Sequence, residues 1–455
     1  MSLGQNGATQ SAENAIQSGK ASEDLFFRNV VSSYVDAPRF IRRGWLEQDL
    51  QRRLDEPGCR FVLLTSEPGG GKSGFIAQLS ADHHDWPVYF IRRDQRYSLG
   101  GASAKSFLLR IGFQMAALHP EVFDLEQIRL DVEQEIGTAA SGAEVVGARI
   151  GKIRTSPFQQ AAVRITQRVQ QNQGRVVGLE VDEWLADPRL LDTEDLHEMA
   201  LFRPARNLLR LRPAHRIVIL VDALDELRYH GLENDILTWL TNCPPLAENI
   251  RFVLTSRPEK DALQTFTEKQ GDSVRALKLD AADPRLRAEL SAYAAGLAAI
   301  PDVVAALART GWNIEDFTKQ SVLKADGNIG YLATLARAVD KQRGLSGGEA
   351  LLDELVSLKQ LPSDLDGLYG FFLGQIMSRQ TKLDIAVTDP FTRRRGLINA
   401  WTDLYHPLLA VLTVALQPLS VDQLQALSGT LAERAQVSHA VEWLSQFLDQ
   451  VGAAE

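Results

Sequence analysis

Residues 66–74 read S-E-P-G-G-G-K-S-G, directly after the apolar run F-V-L-L-T. Backbone N–H groups converge on an anion only where the chain turns tightly and side chains stay clear. Consecutive glycines permit both, and a helix that begins at Lys72 adds the positive end of its dipole. In such a loop the lysine amine reaches the outer phosphates of a nucleotide and the following hydroxyl binds magnesium. Pro68, Gly69, Gly70, Gly71, Lys72, Ser73 and Gly74 are therefore the expected phosphate-binding residues. The pattern G-x-x-x-x-G-K-[ST] asks for glycine at position 66, where this chain has Ser66. A glycine-rich turn with an incidental lysine is the competing reading. The apolar strand before the loop and the helix after it speak against that turn.

Two further groups complete a site. In R-I-V-I-L-V-D-A-L-D-E-L a buried strand ends at Asp222. Ligands of open α/β sheets bind beyond the carboxyl ends of strands, so Asp222 is placed to hold hydrated magnesium beside Ser73. Asp225 and Glu226 follow one turn later, and either could orient or deprotonate an attacking water. The plain alternative is an acid-rich helix start. In R-F-V-L-T-S-R-P-E another strand ends at Arg257, which can sense or stabilise charge on a terminal phosphate. Its plain alternative is a surface arginine after an edge strand.

The elements that must position these groups follow from periodicity. Helical spacing covers 40–54, 103–118 and 195–211; buried strands cover 61–65, 88–92, 216–221 and 250–255. From about residue 282 the chain is rich in Ala and Leu, with helical periodicity and few strand signals. Strands alternating with helices, then helices alone, predict an α/β parallel-sheet core followed by an α-helical domain. Residues 139–185 break this rhythm. Apolar and polar residues alternate on both sides of Q-N-Q-G, which predicts a hairpin within a small β insertion. Its segments E-V-V-G-A-R-I and R-V-V-G-L-E-V also resemble each other. No acid, histidine or cysteine cluster marks chemistry there, so the insertion is expected to be an interaction surface dispensable for nucleotide binding.

Bulk properties narrow the classes. The chain has 455 residues, 45% hydrophobic and 24% charged, with a net charge of -9. Several domains are expected, and a wholly nucleic-acid-binding surface is disfavoured. Two cysteines, Cys59 and Cys243, exclude a disulfide framework and fit a reducing cytoplasm. No apolar stretch approaches the roughly 18 residues a membrane span needs. The polar N-terminus has no signal-peptide pattern, and 1–34 reads as a disordered linker.

Taken together, these pieces resemble the STAND class of P-loop NTPases, and its NACHT-like branch in particular. D-A-L-D-E resembles that branch's Walker B form, T-S-R-P-E its sensor 1, and F-I-R-R-G-W-L an upstream element. The last match implies Arg43 as a nucleotide-binding arginine, although Arg42 and Gly44 stand where the family has Gly and Glu. A-D-G-N-I-G-Y-L-A-T-L-A resembles the following helical domain, and L-Y-H-P-L-L-A-V-L-T-V-A-L-Q-P-L-S the start of a winged helix. The implied organisation is an NTPase domain over 35–280, a helical domain over 281–400 and an incomplete winged helix over 401–455. His406 and His439 offer no secure counterpart of the family's histidine.

The resemblance implies ATP or ADP with Mg²⁺, slow hydrolysis, and conformational change with self-association. Family members serve signalling, and many prokaryotic ones antiphage defence or programmed cell death. Effector and sensor parts would then lie outside this chain, which reads as the centre of a longer protein. Adenine is favoured because N-K-x-D is absent. Arg92, Arg93 and Arg96 are candidates to reach a neighbouring subunit's site, against the plainer reading of a solvated basic cluster. Two alternatives remain: a nucleotide-binding scaffold with little turnover, and a winged-helix DNA-binding regulator. The second is disfavoured, since the recognition helix offers Arg434 against Glu433 and Glu442.

Overall fold

The computed structural model describes residues 25–91, 101–124, 129–154, 157–158, 162–172, 175–185, 191–229, 232–258, 260–342, 348–359, 361–388, 393–415, 419–444 and 448. Arg92, Arg93 and Arg96 lie outside them.

The apolar runs become a five-stranded parallel sheet. Its strands are β1 (Phe61–Thr65), β2 (Val88–Phe90), then, beyond an insertion of four strands, β7 (Ile217–Asp222), β8 (Ile250–Ser256) and β9 (Val274–Lys278). The order is β2-β7-β8-β1-β9, so β8 lies between the strand that feeds the glycine loop and the strand that ends in Asp222. β1, β7 and β8 read as near-continuous Val, Ile, Leu and Phe because helices cover both faces of a parallel sheet. Phe61 stacks on Phe252 at 5.5 Å and meets Phe266 edge-on, which ties β1 to β8 and to the helix Lys260–Gln270. The register sets Thr65 level with Ser256, and all carboxyl ends share one edge of the sheet.

Four helices frame the loop side. Helix α1 (Arg28–Val35) occupies the end of the stretch 1–34 expected to be a disordered linker and runs one residue past it. It is ordered because Phe27 packs edge-on against Tyr89 and Phe90 and beneath the Arg110 guanidinium. The Leu25 carbonyl also accepts hydrogen bonds from Arg110 and Gln114. Helix α2 (Gly44–Leu54) buries Leu46, Leu50 and Leu54, one side chain per turn. Helix α3 (Lys72–Asp82) follows the glycine loop, and α4 (Ala104–Leu118) begins at Ser103, whose side chain caps the Ser106 N–H.

The insertion holds β3 (Arg129–Ala139), β4 (Glu144–Arg154), β5 (Ala162–Asn172) and β6 (Arg175–Leu185), so its strands start before residue 139. The expected hairpin across Q-N-Q-G is not the pairing observed. β5 pairs in parallel with β3, and β6 in parallel with β4. Alternation identifies strands but not partners; the repeat between the two halves sets the partner here.

The helical region runs Pro284–Ala298, Pro301–Thr310, Ile314–Ala325, Ile329–Gln342, Gly348–Ser357 and Leu365–Gln380. Its buried residues continue the core of the sheet domain without a break. An antiparallel pair, β10 (Asp384–Thr388) with β11 (Arg395–Asn399), interrupts the helices where few strands were expected. These strands are short and largely exposed, so they carry little apolar signal. Helices His406–Val414, Val421–Ser428 and Arg434–Leu444 surround a second core at Leu404, Leu408, Leu424 and Val437. Among the described residues no single helix is long and apolar enough to cross a membrane.

Candidate functional site: a glycine loop braced from two domains

Between β1 and α3 the chain takes two left-handed turns, at Gly69 (φ 77°) and at Gly71 (φ 86°), the residue preceding α3. Only glycine adopts this conformation readily. The space around the loop makes the same demand. A Cβ on Gly70 would lie 2.4 Å from Ser66 Oγ, and one on Gly69 only 2.2 Å from Asn328 Oδ1. Ser66, which departs from the usual glycine, is thus accommodated by the glycine at 70. Lys72 folds over the loop, and its Nζ donates to Ser66 O at 2.7 Å and Ser66 Oγ at 3.2 Å. Burial lowers the Lys72 pKa, and the nearby charges of Asp225 and Asp222 oppose that shift.

Asp222 is buried at the tip of β7. Burial raises its carboxyl pKa, while hydrogen bonds from Thr255 and Ser73 pull it back down. The Thr255 hydroxyl donates to Asp222 Oδ1 at 2.6 Å and accepts the Ala223 N–H at 2.9 Å. Those bonds hold Ala223 at φ 65°, a conformation that costs a non-glycine residue of order 1 kcal/mol or more. The turn carries Asp225 and Glu226 back toward the tip of β8.

The structure then separates the two acids. Asp225 accepts the Arg257 N–H at 3.1 Å and pairs with Arg257 Nε at 2.8 Å, with its side chain 5% exposed. Glu226 stands 3.8 Å from Arg257 Nη2 and is 24% exposed. Asp225 is therefore engaged in fixing Arg257, and Glu226 is the acid that meets solvent.

Arg43 lies beneath the loop. Its Nη1 donates to Gly70 O at 2.8 Å, its backbone N–H to Gln78 Oε1 at 2.7 Å, and its Nε pairs with Glu289 at 3.2 Å. Burial lowers the Arg43 pKa and raises that of Glu289, and each shift is opposed by the other partner. In this geometry Arg43 shapes the loop from behind.

Sequence reasoning did not single out Asn328 and Gly330. The Asn328 side-chain amide donates to Pro68 O at 2.8 Å, and the Gly330 N–H donates to Gly69 O at 2.8 Å. A Cβ on Gly330 would lie 2.9 Å from the Gly69 Cα. The segment reaches the loop through two left-handed residues in succession, Asp326 (φ 41°) and Gly327 (φ 82°). The signal in the sequence was D-G-N-I-G, whose turn residues sit where helical periodicity alone requires none. Thr255 was equally legible as the polar residue at the end of an apolar strand.

Can these residues hold a nucleotide with magnesium? The loop turns through Gly69 and Gly71 into the start of α3, which presents backbone N–H donors, and Lys72 supplies the cation. Ser73 and Asp222 are already hydrogen-bonded, a hydroxyl and a carboxylate of the type that binds magnesium together with phosphate oxygens. Among the described residues no cluster of three His, Cys, Asp or Glu forms a separate metal cage. The donor set fits Mg²⁺ carried with a nucleotide.

Two predictions follow from the bracing. Arg43→Ala should destabilise the fold by about 3–5 kcal/mol, because it leaves Glu289 partly buried without its cation. Denaturant unfolding reads this directly, and Glu289→Ala in the same chain should add much less than its single effect. Equal and additive losses would show that the pair is not coupled. Gly69→Ala should weaken phosphate binding at least about tenfold, combining left-handed strain with the Asn328 contact. Removing that contact with Asn328→Ala should restore binding only in part, and full rescue would place the whole effect on the contact.

No protein-family model matches this chain, and no curated protein matches it. Among solved structures it is similar to the Walker-type ATPase PABY2304 of Pyrococcus abyssi, at 12% identity and a TM-score of 0.36, covering 89% of each chain. It is also similar to a RuvB mutant of Thermotoga maritima, at 10% identity and a TM-score of 0.26, covering 90% of this chain and 88% of the other. The parallel sheet, the glycine loop between β1 and α3, and the carboxylate at the tip of β7 are the build of a P-loop NTPase.

Proposed function

We propose that the chain is an ATP- and ADP-dependent conformational switch of the STAND type, hydrolysing ATP slowly. The observation that carries this reading is the brace on the phosphate loop. Pro68 and Gly69 are held by Asn328 and Gly330 of the helical region, and Gly70 by Arg43, which pairs with Glu289 of the same region. A group that pulls on the loop therefore pulls on the helices. A nucleotide can shift that arrangement only as far as its affinities for two arrangements differ.

The roles of the residues follow. Loop N–H groups and Lys72 bind the phosphates, and Lys72 exchanges its bonds to Ser66 for phosphate oxygens. Ser73 and Asp222 hold magnesium, with Thr255 fixing the orientation of the Asp222 carboxylate. When bound, the ion neutralises charge between the outer phosphates. Glu226 orients the attacking water and accepts its proton. Asp225 positions Arg257, whose guanidinium stabilises charge on the terminal phosphate.

By the resemblance, we further read this cycle as controlling self-association in the cytoplasm, in signalling such as antiphage defence or programmed cell death. Effector and sensor parts would belong to partners or to chain outside this sequence, and the C-terminal helices to a winged helix. Hydrogen exchange at 325–332 tests the switch. Protection that differs between MgADP and MgATP supports it, whereas identical protection with tight binding of both favours the nucleotide-holding scaffold.

A further inference from the structure

The insertion carries its own interaction chemistry, independent of the nucleotide reading. Its two halves are strand–turn–strand units. β3 turns into β4 at Gly142, and β5 is followed by β6, yet neither pair is joined by a ladder. Each unit instead lies flat on the other as a rung, β3 on β5 and β4 on β6, parallel and in register. Like residues stack: Val145 on Val176, Val146 on Val177, Ile136 on Val169. Gln167 donates to Gln134 at 2.7 Å, the start of a glutamine ladder.

Charged residues stack with opposite sign. Glu144 pairs with Arg175 at 2.7 Å, and Arg149 with Glu180 at 2.8 Å. The register also sets Glu135 beside Arg168. Among the described residues every one of these strands is paired along one edge only, and each is 11 residues long. Long open edges are templates for another strand, and a two-stranded ribbon is marginally stable without one.

The charge pattern selects the occupant. A first rung from another copy, laid on the outer edge of the second rung, would again meet Arg175 with Glu144 and Glu180 with Arg149. Second rung on second rung would bring like edges together, which forces the strands antiparallel; the register centred on β6 then opposes Glu180 to Glu180 and loses the Glu144–Arg175 and Arg149–Glu180 pairings. We propose that the insertion joins copies of this chain head to tail, the first rung of one copy on the second rung of the next. Such a heterologous contact does not close on itself. Each copy advances the stack by only about 10 Å, so the bodies of neighbouring copies must swing apart about the stack axis, which limits the assembly to pairs and short stacks.

The test uses the full chain. Directly opposed strands lie about 5 Å apart, within disulfide reach. Gln134→Cys and Gln167→Cys variants are prepared separately, mixed at tens of micromolar and oxidised, with the wild-type chain as control for Cys59 and Cys243. A cross-linked dimer from the mixture alone is the expected result. Dimers from Gln167→Cys alone would mean like-on-like stacking, and no cross-link from the mixture would mean no stacking; either overturns the proposal. As a second readout, Glu180→Arg should weaken self-association at least about tenfold in sedimentation, and Arg149→Glu added to it should restore the wild-type level. Failure of that rescue also overturns it.

Discussion

Glu226→Gln should lower ATP turnover by about 10² to 10⁴-fold, the usual scale of a positioned general base, while nucleotide affinity stays near wild type. The amide keeps the size of the side chain and loses its capacity to take a proton, together with a charge that stands only 3.8 Å from Arg257 Nη2 in a partly exposed pair. Asp225→Asn should act differently. Asp225 holds both the backbone N–H and the Nε of Arg257, so its loss releases the arginine and removes part of a partly buried ion pair. Turnover then falls together with stability, and a urea midpoint separates the two variants. If Asp225→Asn abolished turnover without loss of stability while Glu226→Gln left turnover intact, the assignment of the two acids would be reversed.

Lys72→Ala should weaken binding of MgATP and MgADP by about 100-fold or more. Each charge-assisted hydrogen bond contributes roughly 1.5–3 kcal/mol, and in the proposed complex the lysine would make more than one to the phosphates. Stability should change little, because among the described residues the hydrogen bonds of the Lys72 amine stay within its own loop, to Ser66 and Glu67. Calorimetric titration gives the affinity, and thermal unfolding without nucleotide gives the control. A variant that binds as the parent does would remove Lys72 from the site.

The core of this site was legible because its elements declare themselves locally. F-V-L-L-T and R-I-V-I-L-V are short and mostly branched and apolar, as strands buried on both faces are, and G-G-G-K-S falls between strand and helix. The sheet then places Lys72, Ser73, Asp222 and Arg257 along one edge, as the motifs implied. What stayed hidden depends on contacts between distant segments. Nothing near Gly69 foretells that Asn328 lies against it, and nothing near Arg43 names Glu289 as its partner. The choice between Asp225 and Glu226 was open for the same reason, since it turns on the position of Arg257. In the insertion, period-two alternation marked the strands but could not say that each half pairs with its repeat and not across its own turn. Helix α1 was missed because Phe27 and Val31 give too little periodicity; its order comes from Arg110, Tyr89 and Phe90.

The most direct test of the central claim is the nucleotide itself. The purified chain is denatured and the released small molecules are separated by chromatography, with Lys72→Ala treated alike. The account predicts adenine nucleotide near one per chain from the native protein and little from the variant, with ADP marking the resting form. No released nucleotide, together with no saturable binding of MgATP or MgADP on titration, would contradict it.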